Sequence, residues 1–225
     1  MTAAANLSRV AAVVPVRGLE RAKSRLGEAL DPEERQALIR RLLRRTLAAA
    51  VAAPGVVRVA VVSPDPGARE IAAAAGAVAL EDAGNDLNAA LEEGRRWAAA
   101  IDATALLVLP VDLPAIDAEA VGTVLARAAE AIEPADARAG VPGAKGRPLV
   151  ALVPDRAGTG TNALLVSPPD VIDFAFGPGS RAAHATAATA AGARYLELGG
   201  PLRLDLDLPD DLLLAGDASL HAAEP

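Results

Sequence analysis

The chain has 225 residues, a length that suits one large α/β domain. It has no cysteine and only two histidines, so disulfides and thiolate metal sites are excluded and a histidine zinc site is disfavoured. A net charge of −7 and an aromatic content of 2% are atypical of a nucleic-acid-binding protein. No apolar run approaches the roughly 18 residues of a membrane span, and no signal peptide is recognisable, so we expect a cytoplasmic protein without nucleic-acid or membrane partners.

Short apolar strands alternate with longer helical patterns in the first part of the chain. Strands are predicted at residues 10–16, 56–62, 77–80 and 105–109, and helices at residues 31–53, 66–75, 88–100 and 117–132. Asp31 and Pro32 form a strong helix start, since Asp is a good N-cap and Pro suits the first helical position. This alternation indicates a mostly parallel sheet with helices on both faces.

The pattern changes after Pro134, where the second half becomes mixed. Strands are predicted at residues 149–153, 163–166 and 194–198, a helix at residues 180–191, and a closing helix from residue 209. Neither a repeat nor a linker divides the chain. We therefore expect a single domain over residues 1–225, with an ordered core at about residues 8–217.

A basic loop follows the first predicted strand. Four cations lie within nine residues of this acidic chain: Arg17, Arg21, Lys23 and Arg25. Ligands of open α/β sheets bind at the carboxyl ends of strands, and guanidinium and ammonium groups both suit phosphate, so the loop is a candidate phosphate site. The alternative is a solvated basic loop. A Walker A loop is not indicated around Ala22, Lys23 and Ser24, because its glycines are missing.

Carboxylates occur at two further places. Asp112 follows the third clear strand between Pro110 and Pro114, in a loop that both prolines stiffen, where it could bind a hard cation or cap a turn. Asp205 and Asp207 alternate with leucines, which predicts a strand with both carboxylates on one face. Such a pair suits a cation, although a solvated edge strand would look the same.

Two other motifs have less specific meaning. Asp210 is placed to cap the closing helix. Gly158 and Gly160 match part of a dinucleotide-binding fingerprint, but Pro168 and Pro169 prevent the helix that this motif requires. A Rossmann cofactor site is therefore not expected.

Six segments taken together resemble the family of 2-phospholactate and phosphoenolpyruvate guanylyltransferases of coenzyme F-420 biosynthesis. In chain order they are VPVRGLERAKSRLG, DLNAALEEG, LPVDLPAI, AGTGTNALL, FGPGSRAAH and LDLDLPDDL, and they extend from about Val13 to Leu213. Each segment is weak alone, whereas six in the same order are specific. The resemblance implies a GT-A-like, Rossmann-related nucleotidyltransferase fold.

The resemblance also implies roles for individual residues. GTP would bind Arg17, Gly18, Lys23, Arg25 and Asn88, and Arg17, Lys23 and Asp112 would act in catalysis. Mg²⁺ would bind Asp112, Asp205 and Asp207. The acceptor acid would bind Thr161, Gly177 and Ser180. The Gly177–Ser180 turn suits an anion independently, because a glycine-rich turn before a helix offers backbone N–H groups.

The implied reaction transfers GMP from GTP to phosphoenolpyruvate or 2-phospholactate and releases pyrophosphate. The acceptor is already an anion, so positioning and charge neutralisation would suffice without a general base. The product would pass to a downstream transferase of the pathway, and a homodimer is one of the states that the sequence allows. Alternatives are a nucleotidyltransferase for a molybdopterin or sugar-phosphate acceptor and a non-catalytic nucleotide-binding regulator.

Overall fold

The computed structural model describes residues 5–19, 26–27, 29–82, 86–132, 147–207 and 209–214. Its strands are β1 (Val10–Pro15), β2 (Val56–Ser63), β3 (Val78–Glu81), β4 (Ala105–Val108), β5 (Leu149–Pro154), β6 (Thr161–Ser167) and β7 (Arg194–Glu197). Its helices are α1 (Pro32–Ala52), α2 (Pro66–Ala74), α3 (Leu87–Ala100), α4 (Ala118–Ile132) and α5 (Ser180–Ala190). A 3₁₀ turn at Pro201–Arg203 precedes a last helical segment at residues 209–214.

The seven strands of the described residues form one sheet in the order β3-β2-β1-β4-β6-β5-β7. Strands β1 to β4 are mutually parallel, β6 is antiparallel to both of its neighbours, and β7 is parallel to β5. The predicted α/β class and mostly parallel sheet are therefore confirmed. The antiparallel β6 places its first residue at the same sheet edge as the last residues of β1, β2 and β4.

Apolar side chains cover both faces of the sheet. One cluster packs α1, α2 and α4 against one face, and a second packs α3 and α5 against the other. Strand β1 is buried along its whole length and contributes alternate residues to the two clusters. None of the described helices combines the length and apolar character needed to cross a membrane.

Local signals for helix starts are confirmed by the caps. The Asp31 side chain accepts a hydrogen bond from the Glu34 backbone, and the Glu34 carboxylate accepts one from the Asp31 N–H, which completes a capping box at α1. Asp117 accepts from the Ala120 N–H over 2.7 Å and caps the start of α4 with its side chain alone.

The strand expected around Asp205 and Asp207 is wrong. Residues 204–207 have no regular secondary structure and form no ladder with the sheet in the described structure. The alternation itself persists, since Leu206 is fully buried while both aspartates are partly exposed. Asp210 is also not the cap that we expected, because the helical segment begins at Pro209 and Asp210 lies in its first turn.

Candidate functional site

Three carboxylates from two distant parts of the sequence meet at the carboxyl edge of the sheet. Oxygen atoms of Asp112, Asp205 and Asp207 all lie within 4.8 Å of one another. Asp112 is in the turn that follows β4, and the two others flank Leu206. The Leu206 N–H donates to the Asp112 carbonyl oxygen over 3.0 Å, which fixes the two segments side by side.

Neighbouring polar groups fix the backbone and side chains of this cluster. The Asp207 N–H donates to the buried carboxylate of Asp211 over 3.0 Å, and Arg156 donates to the same carboxylate over 2.8 Å. The Asn162 amide lies 3.4 Å from Asp205 Oδ1 and also donates to the Leu202 carbonyl. Neither Asn162 nor Asp211 was predicted as a site residue, because both act through contacts between distant segments.

The chemistry of the cluster fits a magnesium ion. Its donors are all carboxylate oxygens, which hard divalent cations prefer, and the chain offers no thiolate that would favour a softer metal. Three carboxylates this close repel one another unless positive charge lies near them. The residues present therefore suit Mg²⁺ better than zinc.

Only the first part of the basic loop is described. Arg17 is exposed directly after β1, and Gly18 has φ +135°, a conformation that side-chain-bearing residues rarely adopt. The next N–H, of Leu19, donates to Asp65 Oδ2 over 2.8 Å. Because Asp65 also caps α2, it joins the base of this loop to the end of β2. The predicted GTP-binding residues Lys23 and Arg25, like Arg21, lie outside the described residues.

Thr161 and Ser180, both predicted acceptor residues, are in contact. The Ser180 hydroxyl donates to Thr161 Oγ1 over 3.0 Å. A β-bulge lies at the start of β6, since Pro154 pairs with Thr161 and Val153 with Ala163, leaving Asn162 as the extra residue. Thr161 contacts α5, whereas the neighbouring Asn162 contacts the carboxylate cluster.

The Gly177–Ser180 turn differs in one respect from the expected anion site. Gly177 is exposed with φ +135°, but the Ser180 N–H donates back to the Gly177 carbonyl over 3.1 Å. The Arg181 N–H donates to the Thr159 carbonyl over 3.2 Å. These two backbone donors are thus engaged within the fold and are not available to an anion.

Asn88, predicted to lie near the nucleoside, is beside the same turn. Its side-chain oxygen accepts from the Phe176 N–H over 2.8 Å, and its amide nitrogen donates to the Phe176 carbonyl over 3.1 Å. The Asn88 side chain therefore bonds both backbone groups of Phe176, as the backbone of a neighbouring strand would. Its predicted contact with GTP would have to use the remaining amide hydrogen or lone pair.

An ion pair fixes the turn between β5 and β6. Arg181 donates to both carboxylate oxygens of Glu197, over 2.8 and 2.9 Å, and to the Gly158 carbonyl over 2.8 Å. The guanidinium lowers the pKa of the Glu197 carboxyl. In the same turn, Asp155 accepts from the Thr159 N–H over 2.8 Å. The turn before Thr161 is thereby held at both ends.

His184 is a buried polar residue that the sequence did not single out. It lies on α5 with no exposed surface, and burial lowers its pKa to about 4. Nδ1 is 3.1 Å from Thr161 Oγ1, and Nε2 accepts from the Ala175 N–H over 3.1 Å. A neutral ring with both nitrogens engaged is unsuited to act as a general base.

Solved structures similar to this chain share its fold. A nucleotidyl transferase from Methanothermobacter thermautotroptrophicus matches with a TM-score of 0.65 and 19% identity, covering 95% of this chain and 99% of that one. A 4-diphosphocytidyl-2C-methyl-D-erythritol synthase matches with a TM-score of 0.59 and 15% identity, over 92% and 97% of the two chains. The fold of this chain is that of the nucleotidyltransferases.

Sequence relatives define the family more narrowly. The family model "Guanylyl transferase CofC like" matches residues 10–215. A phosphoenolpyruvate guanylyltransferase from Rubrobacter xylanophilus is 47% identical over 204 residues, which are 90% of this chain and 91% of the relative. One from Sphaerobacter thermophilus is 42% identical over 215 residues, or 94% and 95%. The chain belongs to this guanylyl transferase family and is a nucleotidyltransferase, which confirms the resemblance found in the sequence.

Proposed function

We propose that this enzyme transfers GMP from GTP to phosphoenolpyruvate and releases pyrophosphate. The observation that carries the proposal is the carboxylate cluster of Asp112, Asp205 and Asp207, at the same sheet edge as the Arg17 loop. Cations and carboxylates together suit a triphosphate and its metal ion. The names of the relatives support phosphoenolpyruvate as the acceptor, with 2-phospholactate as the second candidate.

The reaction forms one bond and breaks one bond at the α-phosphorus of GTP. An oxygen of the acceptor phosphate attacks this atom, and the bond to the β-phosphate oxygen breaks with pyrophosphate as the leaving group. Asp112, Asp205 and Asp207 would hold Mg²⁺, which when bound neutralises phosphate charge. Arg17, Gly18 and the loop residues Lys23 and Arg25 would bind the GTP phosphates, with Arg17 and Lys23 stabilising developing charge.

Thr161, Gly177 and Ser180 would form the site for the acid: Thr161 and Gly177 would contact it, and Ser180 would support Thr161 through its hydroxyl. The two hydroxyls are in contact, and the exposed Gly177 lies at the entry to α5, so a small anion with adjacent phosphate and carboxylate groups suits the place. No step in this scheme requires a proton acceptor, which agrees with a neutral, fully engaged His184. The guanylylated product would pass to a later transferase in coenzyme F-420 biosynthesis.

The test is incubation of the purified enzyme with Mg²⁺, each nucleoside triphosphate and each acid in turn. Product is identified by mass, and pyrophosphate is measured separately. In the samples with GTP, we expect guanylylated phosphoenolpyruvate and an equal amount of pyrophosphate. The other nucleotides should give little product. Pyrophosphate release without either guanylylated acid would overturn the assignment of the acceptor. If no combination of nucleotide and acid released pyrophosphate, the proposed activity itself would be wrong.

A further inference from the structure

The His184 ring lies at the junction of three elements around the proposed acceptor site. It extends from α5, contacts Thr161 at the start of β6, and binds the Ala175 N–H in the segment that leads to Gly177. The Phe176 ring packs against it edge to face, with centroids 5.1 Å apart and planes at 70°.

The hydrogen-bond partners determine the protonation of the ring. A backbone N–H can only donate, so Nε2, which faces the Ala175 N–H, must present its lone pair. The buried ring is neutral at pH 7, because its pKa is lowered to about 4. Its single hydrogen is therefore on Nδ1, which donates to Thr161 Oγ1.

Of the three hydrogens carried by His184 Nδ1, Ser180 Oγ and Thr161 Oγ1, only the Thr161 hydrogen is left to donate to a ligand. Thr161 Oγ1 accepts from His184 Nδ1 and from the Ser180 hydroxyl, which occupies both lone pairs of a hydroxyl oxygen. The Thr161 hydrogen is consequently the one that neither contact uses. Ser180 is 1% exposed and Thr161 is 8% exposed, so Thr161 is also the more accessible of the two.

We propose that His184 is a positioning residue that makes the Thr161 hydroxyl an obligate hydrogen-bond donor to the anionic acceptor. This inference rests on the proposed function, since the acceptor is the acid of that reaction. An anion accepts hydrogen bonds only, so a hydroxyl whose lone pairs are already filled is preorganised for it. The same ring, with Asn88, holds the Ala175 and Phe176 backbone beside the Gly177 turn.

Two replacements separate the two hydrogen bonds of the ring. His184→Asn places an amide nitrogen near the former Nδ1 and keeps a donor for Thr161 Oγ1. His184→Gln places an amide oxygen near the former Nε2 and keeps an acceptor for the Ala175 N–H. Ser167→Ala is the matched control, because Ser167 is a fully buried hydroxyl at the other end of β6 that bonds Asn6 and Thr104.

Steady-state kinetics on the intact enzyme give the first readout. We expect His184→Gln to raise the KM for phosphoenolpyruvate about tenfold, the effect of one lost hydrogen bond to a charged group, with the KM for GTP within about twofold. His184→Asn should raise it less than about threefold, and Ser167→Ala should leave it unchanged. Equal effects of Asn and Gln, or parallel changes in both KM values, would overturn the positioning role.

Nitrogen-15 NMR of the histidines gives a readout that needs no substrate. The chain has two histidines, so a His221→Gln variant assigns both rings. We expect His184 at pH 7 to be the neutral tautomer with hydrogen on Nδ1, the minor form of free histidine in water. A hydrogen on Nε2, or a charged ring, overturns the proposal even if the enzyme is active. If wild type forms no guanylylated acid, the proposed function fails and this inference fails with it, whatever the tautomer.

Discussion

The Leu206 N–H donates a hydrogen bond of 3.0 Å to the carbonyl oxygen of Asp112. This single backbone contact joins the turn after β4 to a segment near the end of the described chain. Leu206 is fully buried, so its side chain fixes the depth of the segment while the flanking aspartates stay partly exposed beside Asp112. A buried apolar residue between two acids thus builds a three-carboxylate cluster without a strand.

Replacing Asp112 by Asn should abolish most magnesium-dependent turnover. The amide has nearly the same shape but no charge to offset a divalent cation, so we expect at least about a 100-fold loss of kcat at limiting Mg²⁺. The measurement is the initial rate across a magnesium titration. Asp210→Asn is the control, because it removes the same charge from an exposed residue outside the cluster and should retain the wild-type rate. A full rate for Asp112→Asn at low Mg²⁺ would make Asp112 a turn residue only.

Arg17→Ala and Lys23→Ala should weaken the use of GTP. Each removes a cation proposed to contact the phosphates, so we expect the KM for GTP to rise about tenfold or more in each variant, with unfolding midpoints close to wild type. Arg58→Ala supplies the control, since Arg58 is an exposed cation near the amino end of β2, opposite the proposed site. If both variants have wild-type kinetics, the loop does not bind the phosphates.

The elements of the fold were predictable because their signals are local. Caps such as Asp31 and Asp117, apolar runs, and the prolines around Asp112 each act within a few residues. Apart from the strand expected around Asp205 and Asp207, the predicted elements agree with the structure to within one or two residues. The three acids were also named from the sequence. Their closeness, however, depends on a contact between β4 and the segment around Leu206, which no local pattern contains.

The features that sequence reasoning missed all depend on pairing between distant segments. The bulge at Asn162 follows from the register of β5 against β6, and the contact of Asn88 with Phe176 joins α3 to the turn before α5. In the sequence, nothing distinguishes His184 from other helix residues, because its contacts with Thr161 and Ala175 exist only in the folded chain. The residue type of each side chain is common in such elements, and only its position in the fold makes it part of the site.

Two helical glycines should respond in opposite ways to replacement by alanine. A Cβ on Gly94 of α3 would lie 2.7 Å from Val13 Cγ1 of β1, so Gly94→Ala should lower the free energy of unfolding by about 1–3 kcal/mol. On Gly122 of α4 the nearest atom would be 3.6 Å away, so Gly122→Ala should raise it by up to about 1 kcal/mol through helix propensity. Urea denaturation measures both. Equal effects would mean that α3 does not pack this closely on β1.

Stability should fall between pH 6.5 and pH 4 because of His184. Its pKa is lowered on folding from 6.5 to about 4, so the unfolded chain binds a proton more readily in this range. Above pH 6.5 the ring is neutral in both the folded and the unfolded state, and the free energy of unfolding has its full value. As the pH falls towards 4, the free energy of unfolding decreases progressively, by about 3 kcal/mol in all. The ring's partners, Thr161, Phe176 and the Ala175 backbone, do not titrate there.

The matching measurement compares urea unfolding of wild type and His184→Gln from pH 7.5 to pH 4. Carboxyl groups titrate in both proteins, so the difference between the two curves isolates the histidine. We expect the variant to be less stable at pH 7.5 and the gap to narrow as the pH falls. A gap of constant size would show that His184 is not protonated differently in the two states.

Ser180→Ala should affect the acid more than the nucleotide. The replacement removes the hydroxyl that donates to Thr161, which frees a lone pair on Thr161 and weakens its alignment towards the acceptor. We expect the KM for phosphoenolpyruvate to rise about tenfold and the KM for GTP to change by less than about twofold. Thr189→Ala is the control, because Thr189 lies at the far end of α5 and its exposed hydroxyl bonds only the Ala185 carbonyl among the contacts described. Should Ser180→Ala impair GTP binding alone, the acceptor does not bind at the junction of β6 and α5, and the nucleotide occupies that place instead.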